Sequence, residues 1–365
     1  MTPSFLKLNP YNFVPITRTP WGGPLIVKTK RQILQGPQAG WPERVGESWE
    51  VSTDKAFPSV IKKTSIESHV GASFEDVLKE NPQHFLGSQM AAQFGSHCPL
   101  LLKWISAADP LSVQVHPQHN HPALTATECG KPESWLVLDT ESNGYVYLGF
   151  KENLTQDEIT EALTSDRAGD VLHKVFPSIG DYISIPTGCV HATGPGVLIA
   201  EPQFVLPGRS GKTWRLSDWG RRYDSQGQLD PHGQPRELHI ENGLTAIDWS
   251  LPRGPELEKV LIRRLQHCEV SPSHAHNPFP AQVFSKAGMY TYKPLVHDQF
   301  SLVTCWSGQL QLISSDRQHL VLNAGESGLI AAGAGSIEVA LARQNPDIEP
   351  SGAFFAFADP EVKGL

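Results

Sequence analysis

The chain reads as a mainly β protein built from two β-barrel domains of jelly-roll type, with short helical insertions in the first. Three observations support this. Short alternating stretches such as VYLGF, DYISIP, LVTCWSG, LQLIS and HLVLNAG recur and end in turn residues. Glycine (31) and proline (30) are frequent enough to punctuate many such turns. A length of 365 residues exceeds one ordinary domain of roughly 100–200 residues. The expected division is a first domain over 1–240 and a second over 241–365.

Helical patterns are few. Ser73-Phe74-Glu75-Asp76 before VLKE has the form of a capping box, with the helix stopping near Pro82. Thr155-Gln156-Asp157-Glu158 before ITEAL has the same form. Both lie between β-rich stretches, so insertions are expected near 73–88 and 155–175.

Composition limits the function. The net charge of −8 argues against a nucleic-acid or anionic-membrane surface, and an anionic substrate then needs a local basic pocket. No window approaches ~18 uncharged apolar residues. The start, MTPSFLKLNPYNF, lacks a basic stretch leading into an apolar run. Five scattered cysteines form no CxxC, which suits a reducing cytoplasm better than a disulfide framework.

A repeat carries the chemistry. Gly180-DYISI-Pro186-Thr-Gly188-Cys-Val-His191 is a strand, a tight turn and a histidine, with the spacing of the second metal motif of cupin barrels. Near the C-terminus, Gly325-ESGLI-Ala331-Ala-Gly333-Ala-Gly-Ser336 keeps the spacing but has alanine for proline and serine for histidine. The second copy is expected to be a degenerate barrel without a metal.

In the first half, Ser112-Val113-Gln114-Val115-His116-Pro117 alternates polar with apolar. On a strand, Gln114 and His116 share a face. Glu133 follows at the start of the expected strand ESWLVLD. Gln114, His116, Glu133 and His191 make a mixed oxygen and nitrogen set with no cysteine, suited to a catalytic Zn²⁺ or another first-row divalent ion rather than to a closed structural zinc. Singly, each has a bland alternative: a turn histidine, an ordinary glutamine, a Glu133–Lys131 ion pair. The combination favours a metal site. His119 and His121, in HPQHNHP, are rival ligands or solvated loop residues. Cys189 is expected to support His191 rather than bind metal.

These residues resemble the type I phosphomannose isomerases, also called mannose-6-phosphate isomerases, of the cupin superfamily. The matching stretches are Arg44-VGESWEVS, Pro99-LLLKWISAADPLSVQVHP, Gly130-KPESWLVLD, Gly180-DYISIPTGCVHATGPG, Thr213-WRLSDWGRR and Pro235-RELHIENGL. They cover roughly residues 20–250, and the tail matches only in outline. The resemblance implies one zinc held by Gln114, His116, Glu133 and His191, and active-site roles for Ser112, Lys103, Lys131 and Arg215. Read without it, Lys103 is a snorkelling lysine, Lys131 a surface charge and Arg215 a partner of Asp218.

Three departures stand out, one being HPQHNHP in place of a more acidic loop. Pro132 replaces a polar residue between Lys131 and Glu133, removing a backbone donor. The stretch PQFVLPGRSGKTW adds Arg209 and Lys212, the nearest candidates for substrate phosphate.

The implied reaction interconverts mannose 6-phosphate and fructose 6-phosphate through an enediolate, with a cation stabilising developing negative charge and a base moving a proton between C2 and C1. Lys131, a metal-bound water and a loop histidine compete for the base. The implied partner is a small phosphosugar, with no nucleic acid or membrane, on a monomer or weak homo-oligomer. The competing readings are an Fe(II) cupin oxygenase, which usually carries more histidine ligands, and a sugar-phosphate-binding cupin that has lost turnover.

Overall fold

A computed structural model describes residues 2–31, 33, 41–272, 279–292, 298–343 and 351–358. The fold is four antiparallel layers with apolar cores between them. The outermost is a five-stranded sheet holding Val113–Val115, Val146–Phe150, Leu172–Val175, His191–Thr193 and Trp214–Ser217. Next lies a six-stranded sheet centred on Glu133–Thr140, flanked by Asp181–Ile185 and Val197–Phe204, with Leu100–Ser106 and Glu47–Val51 beyond. A seven-stranded and then a four-stranded sheet complete the stack.

Strand periodicity builds these cores, because alternate side chains enter opposite layers. In Glu133–Thr140, Trp135 and Val137 pack between the first two sheets, while Leu136 and Leu138 pack towards the seven-stranded sheet. In Leu100–Ser106, Leu100, Leu102 and Trp104 join that same inner core, which leaves Lys103 on the opposite face. The core between the last two sheets is filled by rings and branched chains including Tyr292, Phe355 and Phe357.

Helices occupy the expected insertions, as Phe74–Glu80, Pro82–Leu86, Gln156–Thr164 and Ala168–Val171, and a further helix, Ser88–Phe94, carries the first insertion beyond residue 88. Thr155 and Glu158 form the reciprocal capping box. Ser73 does not cap its helix, and the Asp76 carboxylate is taken by Lys79 at 2.9 Å. Three further helices, Leu25–Lys30, Ile240–Ala246 and Pro255–Leu261, lie outside the expected insertions.

The chain crosses the expected division at residue 240 in both directions. Phe5–Leu8 and Ile61–Lys63 belong to the seven-stranded sheet, otherwise built from C-terminal strands. Ile262–Arg264 pairs with Asp181–Ile185, and Leu257 and Leu261 pack between the first two sheets.

A buried polar chain ties the two halves together. Lys30 Nζ meets Glu50 Oε1 at 2.6 Å, both side chains being fully buried. Ser327 donates to Glu50 Oε2 at 3.0 Å and accepts from the Thr304 hydroxyl at 2.7 Å, and the Trp104 indole donates to Thr304 at 3.1 Å. Among the described residues no helix is long and apolar enough to cross a membrane.

Candidate metal centre

The site lies at the mouth of the first sheet pair. Val113 and Val115 point into a core under the five-stranded sheet, which turns Gln114 to the other face. Gln114 pairs in register with His191 on one side and Arg215 on the other, so the three form one cross-strand row. Glu133 begins its strand, the polar end of the row continued by Trp135 and Val137. The PTG turn before His191 uses Gly188 at φ +85°, a left-handed conformation that favours glycine. A Cβ there would also meet Asp248 Cβ at 2.7 Å.

His116, Glu133 and His191 converge and are buried, with relative exposures of 1%, 1% and 0%. His116 Nε2 lies 3.2 Å from Glu133 Oε2, and His191 Nε2 lies 3.2 Å from Oε1. The far ring nitrogens are already engaged: His116 Nδ1 is 3.1 Å from the Lys212 carbonyl, and His191 Nδ1 is 2.9 Å from the Cys189 carbonyl. Only a protonated nitrogen donates to a carbonyl, so in the neutral rings both Nε2 atoms carry lone pairs. His116 Nε2, His191 Nε2 and Glu133 Oε1 are buried without a hydrogen-bond partner. Two lone pairs and a carboxylate facing one another repel, and a cation between them resolves the conflict. The residues therefore fit a divalent ion, with backbone carbonyls orienting both rings.

Electrostatics agree. Burial, reinforced by Lys131, pushes the His116 imidazole down to about 3, which keeps it neutral. Burial alone would raise Glu133, but Lys131 and the imidazoles hold it well below the usual carboxylate range. Lys131 Nζ lies 3.3 Å from Glu133 Oε2. Gly211 makes room for that lysine, since a Cβ there would fall 2.9 Å from its stem.

Above the cluster opens a cleft of about 440 Å³, lined by Lys103, Ser112, Gln114, Lys131 and Arg215. Lys103 is no snorkelling surface chain. It is buried, lies 3.3 Å from Glu47 and stacks over Trp49 at 4.5 Å. Burial pulls its ammonium down, but Glu47, Glu201 and Glu133 outweigh that and hold it above the ordinary lysine value. Arg215 has no ion pair with Asp218 among the described residues; its Nη1 donates to the Glu237 carbonyl at 2.7 Å and its Nε is buried without a partner.

Other expected residues lie apart. Lys212 pairs with Glu128 at 2.6 Å, and Arg209 lines a neighbouring cleft with His97 and Lys55. His121 contacts Trp214 and Thr245, and His119 packs on Phe204; neither joins the three-residue cluster. The Cys189 thiol is buried and pushed up to about 12, so its carbonyl, not its sulfur, serves His191.

The structure adds groups that sequence reading missed. Gln203 pairs in register with Glu133, and its amide bridges Glu133 Oε2 at 3.0 Å and Glu201 Oε2 at 2.5 Å. Glu201 pairs in register with Lys103 and accepts from the Trp135 indole at 3.0 Å. Burial and then Glu133 push its carboxyl well above the usual range. Glu and Gln alternating on the apolar strand VLIAEPQF were the available signal.

Fold and site together define a cupin-type β protein with a buried His–Glu–His centre. Residues 15–135 match the family model of the phosphomannose isomerase type I catalytic domain. The chain is 30% identical over 219 residues to mannose-6-phosphate isomerase ManA of Bacillus subtilis, an alignment covering 60% of this chain and 62% of that protein. It is 29% identical over 210 residues to the mannose-6-phosphate isomerase of Streptococcus mutans, covering 58% and 60%. These matches thus span about three fifths of each relative's length. The crystal structure of the Bacillus subtilis mannose 6-phosphate isomerase superposes with a TM-score of 0.70 at 19% identity, covering 98% of this chain and 100% of that one. Over these spans the chain is similar to the type I phosphomannose isomerases.

Proposed function

We propose that the chain is a zinc-dependent isomerase that interconverts mannose 6-phosphate and fructose 6-phosphate in the cytoplasm. The observation that carries this reading is the convergence of His116 Nε2, Glu133 Oε1 and His191 Nε2, buried and unpartnered, beneath a cleft whose lining includes Lys103, Lys131 and Arg215. Gln114, beside His191 in the row, is the fourth ligand on this reading. Five free cysteines suit a reducing compartment.

A divalent ion held by these residues supplies Lewis-acid stabilisation of negative charge on the sugar's carbonyl and hydroxyl oxygens. The chain's own groups do the rest. Lys103, kept protonated by its acidic neighbours, offers a fixed positive charge to an enediolate oxygen. Arg215, across from Gln114, presents a guanidinium with a free Nε to the same region. Lys131, beside Glu133, is placed to move the proton between C2 and C1. Gln203 holds the orientation of Glu133. Ser112 lines the cleft as a hydroxyl donor or acceptor for the sugar.

The test is an assay of mannose 6-phosphate conversion on purified protein, before and after chelation. The proposal expects conversion that chelation abolishes and Zn²⁺ restores. Conversion that survives complete metal removal, or none with metal bound, would defeat it.

A further inference from the structure

The cleft carries positive charge that the metal cluster does not explain. Asp218, almost fully buried, is shared by two guanidinium groups: Arg221 at 2.6 Å, and Arg236 through Nε at 2.8 Å and through Nη2. Tyr223 adds its hydroxyl at 3.1 Å and lies under Arg236, 5.1 Å from ring to guanidinium carbon. Arg236 also pulls down its neighbour Arg215, after burial, by like-charge repulsion. Two arginines thus share one carboxylate while Arg215 lies close by without one, and Arg215 and Arg236 both line the cleft.

A fourth arginine faces the same cleft. Arg18 is exposed at its mouth, stacked on Phe57 at 5.1 Å, and has no carboxylate within ion-pair distance among the described residues. Its turn abuts the loop after Tyr223, where a Cβ on Gly227 would fall 2.1 Å from the Thr17 carbonyl oxygen. That loop returns through Gln234–Pro235, paired with Arg222–Tyr223, directly to Arg236. A surplus of guanidinium charge facing a cavity, in a chain of net charge −8, is an anion site in waiting.

We propose that Arg18 and Arg236 hold the phosphate of the phosphosugar, with Asp218 fixing the fork of Arg236. The inference rests on the isomerase reading and refines it. The reacting carbons, C1 and C2, belong beside Gln114 and Arg215, while the phosphate sits on C6, at the other end of the sugar. Lys212 and Arg209 are less suited. The first is neutralised by Glu128, and the second faces the neighbouring cleft.

The experiment measures kcat and KM for mannose 6-phosphate, and competitive inhibition by inorganic phosphate, in Arg18→Gln, Arg236→Lys and Arg209→Gln. Arg18 is exposed, so its replacement leaves folding intact. Arg236→Lys keeps the charge and loses the planar fork. A phosphate contact made equally in ground and transition states raises KM and spares kcat. The expected result is a rise in KM of roughly 10- to 100-fold in each of the first two variants. Phosphate inhibition should weaken in parallel, with Arg209→Gln unchanged. Unchanged KM in both, or a loss confined to Arg209→Gln, overturns the assignment. If the native protein turns over no mannose 6-phosphate, the isomerase reading fails by itself. Binding of inorganic phosphate, followed by ³¹P NMR, then decides: loss in the Arg18→Gln/Arg236→Lys double variant upholds the pair, and retention overturns it.

Discussion

The two glycine-punctuated turns, 180–193 and 325–337, start alike and end differently. Gly180 and Gly325 both take left-handed backbone, at φ +88° and +91°. Each leads into a wholly buried five-residue strand, Asp181–Ile185 and Glu326–Ile330. Beyond that the copies part. In the first, Pro186 and Gly188 make a tight turn that delivers His191 directly into a strand, fully buried against Gln114. In the second, Ala332–Ala334 forms a 3-10 turn, Gly335 rather than Gly333 takes the left-handed conformation, and the strand starts at Ile337. Ser336 is left exposed, outside the strand. Equal spacing in sequence therefore does not mean an equivalent place in space. The interiors differ to match: a polar cluster under an open cleft in one, stacked Tyr292, Phe355 and Phe357 in the other.

The contrast sets the order of expected effects. The largest falls in the first half, on the chemistry. Lys131→Met keeps the side chain's length and removes its amine, so kcat should fall about 10²–10⁴-fold with metal content unchanged. Steady-state kinetics beside elemental analysis would check this, and near-normal kcat would remove Lys131 from the reaction.

Next comes the seam between the halves. Glu50→Ala strands the fully buried Lys30 ammonium and should destabilise the protein by about 3–5 kcal/mol. The cost should appear in denaturant unfolding of both halves, because Ser327 and Thr304 join the same chain of bonds. A loss confined to one half would show that the seam does not couple them.

The smallest effect tests the degenerate copy. Ser336→His restores the motif's residue at an exposed site, so stability should move by no more than about 0.5 kcal/mol and no second ion should bind. A second stoichiometric ion in that variant would mean that spacing alone had been enough.

Much of the centre was legible because its signals are local. Gln114 sits in the short strand Val113–Val115 with His116 directly after it, and the PTG turn precedes His191 within a few residues. What stayed hidden depends on pairing across the sheet. Glu201 reaches the cleft because its strand aligns it with Lys103, and Gln203 because it lies opposite Glu133. Arg18 and Arg236 meet one cleft where the turn at Thr17 abuts the loop at Gly227, a contact between distant parts of the chain. The exchange of Phe5–Leu8 into the C-terminal sheet was invisible for the same reason: nothing in four apolar-patterned residues names a partner more than three hundred positions away.

The central claim, a single ion held by the first half through His191, is tested most directly by counting metal in His191→Ala against the native protein. The account predicts one equivalent in the native chain, none in the variant, and loss of mannose 6-phosphate conversion along with it. A full equivalent retained in the variant would contradict it and pass the ligand role to another residue.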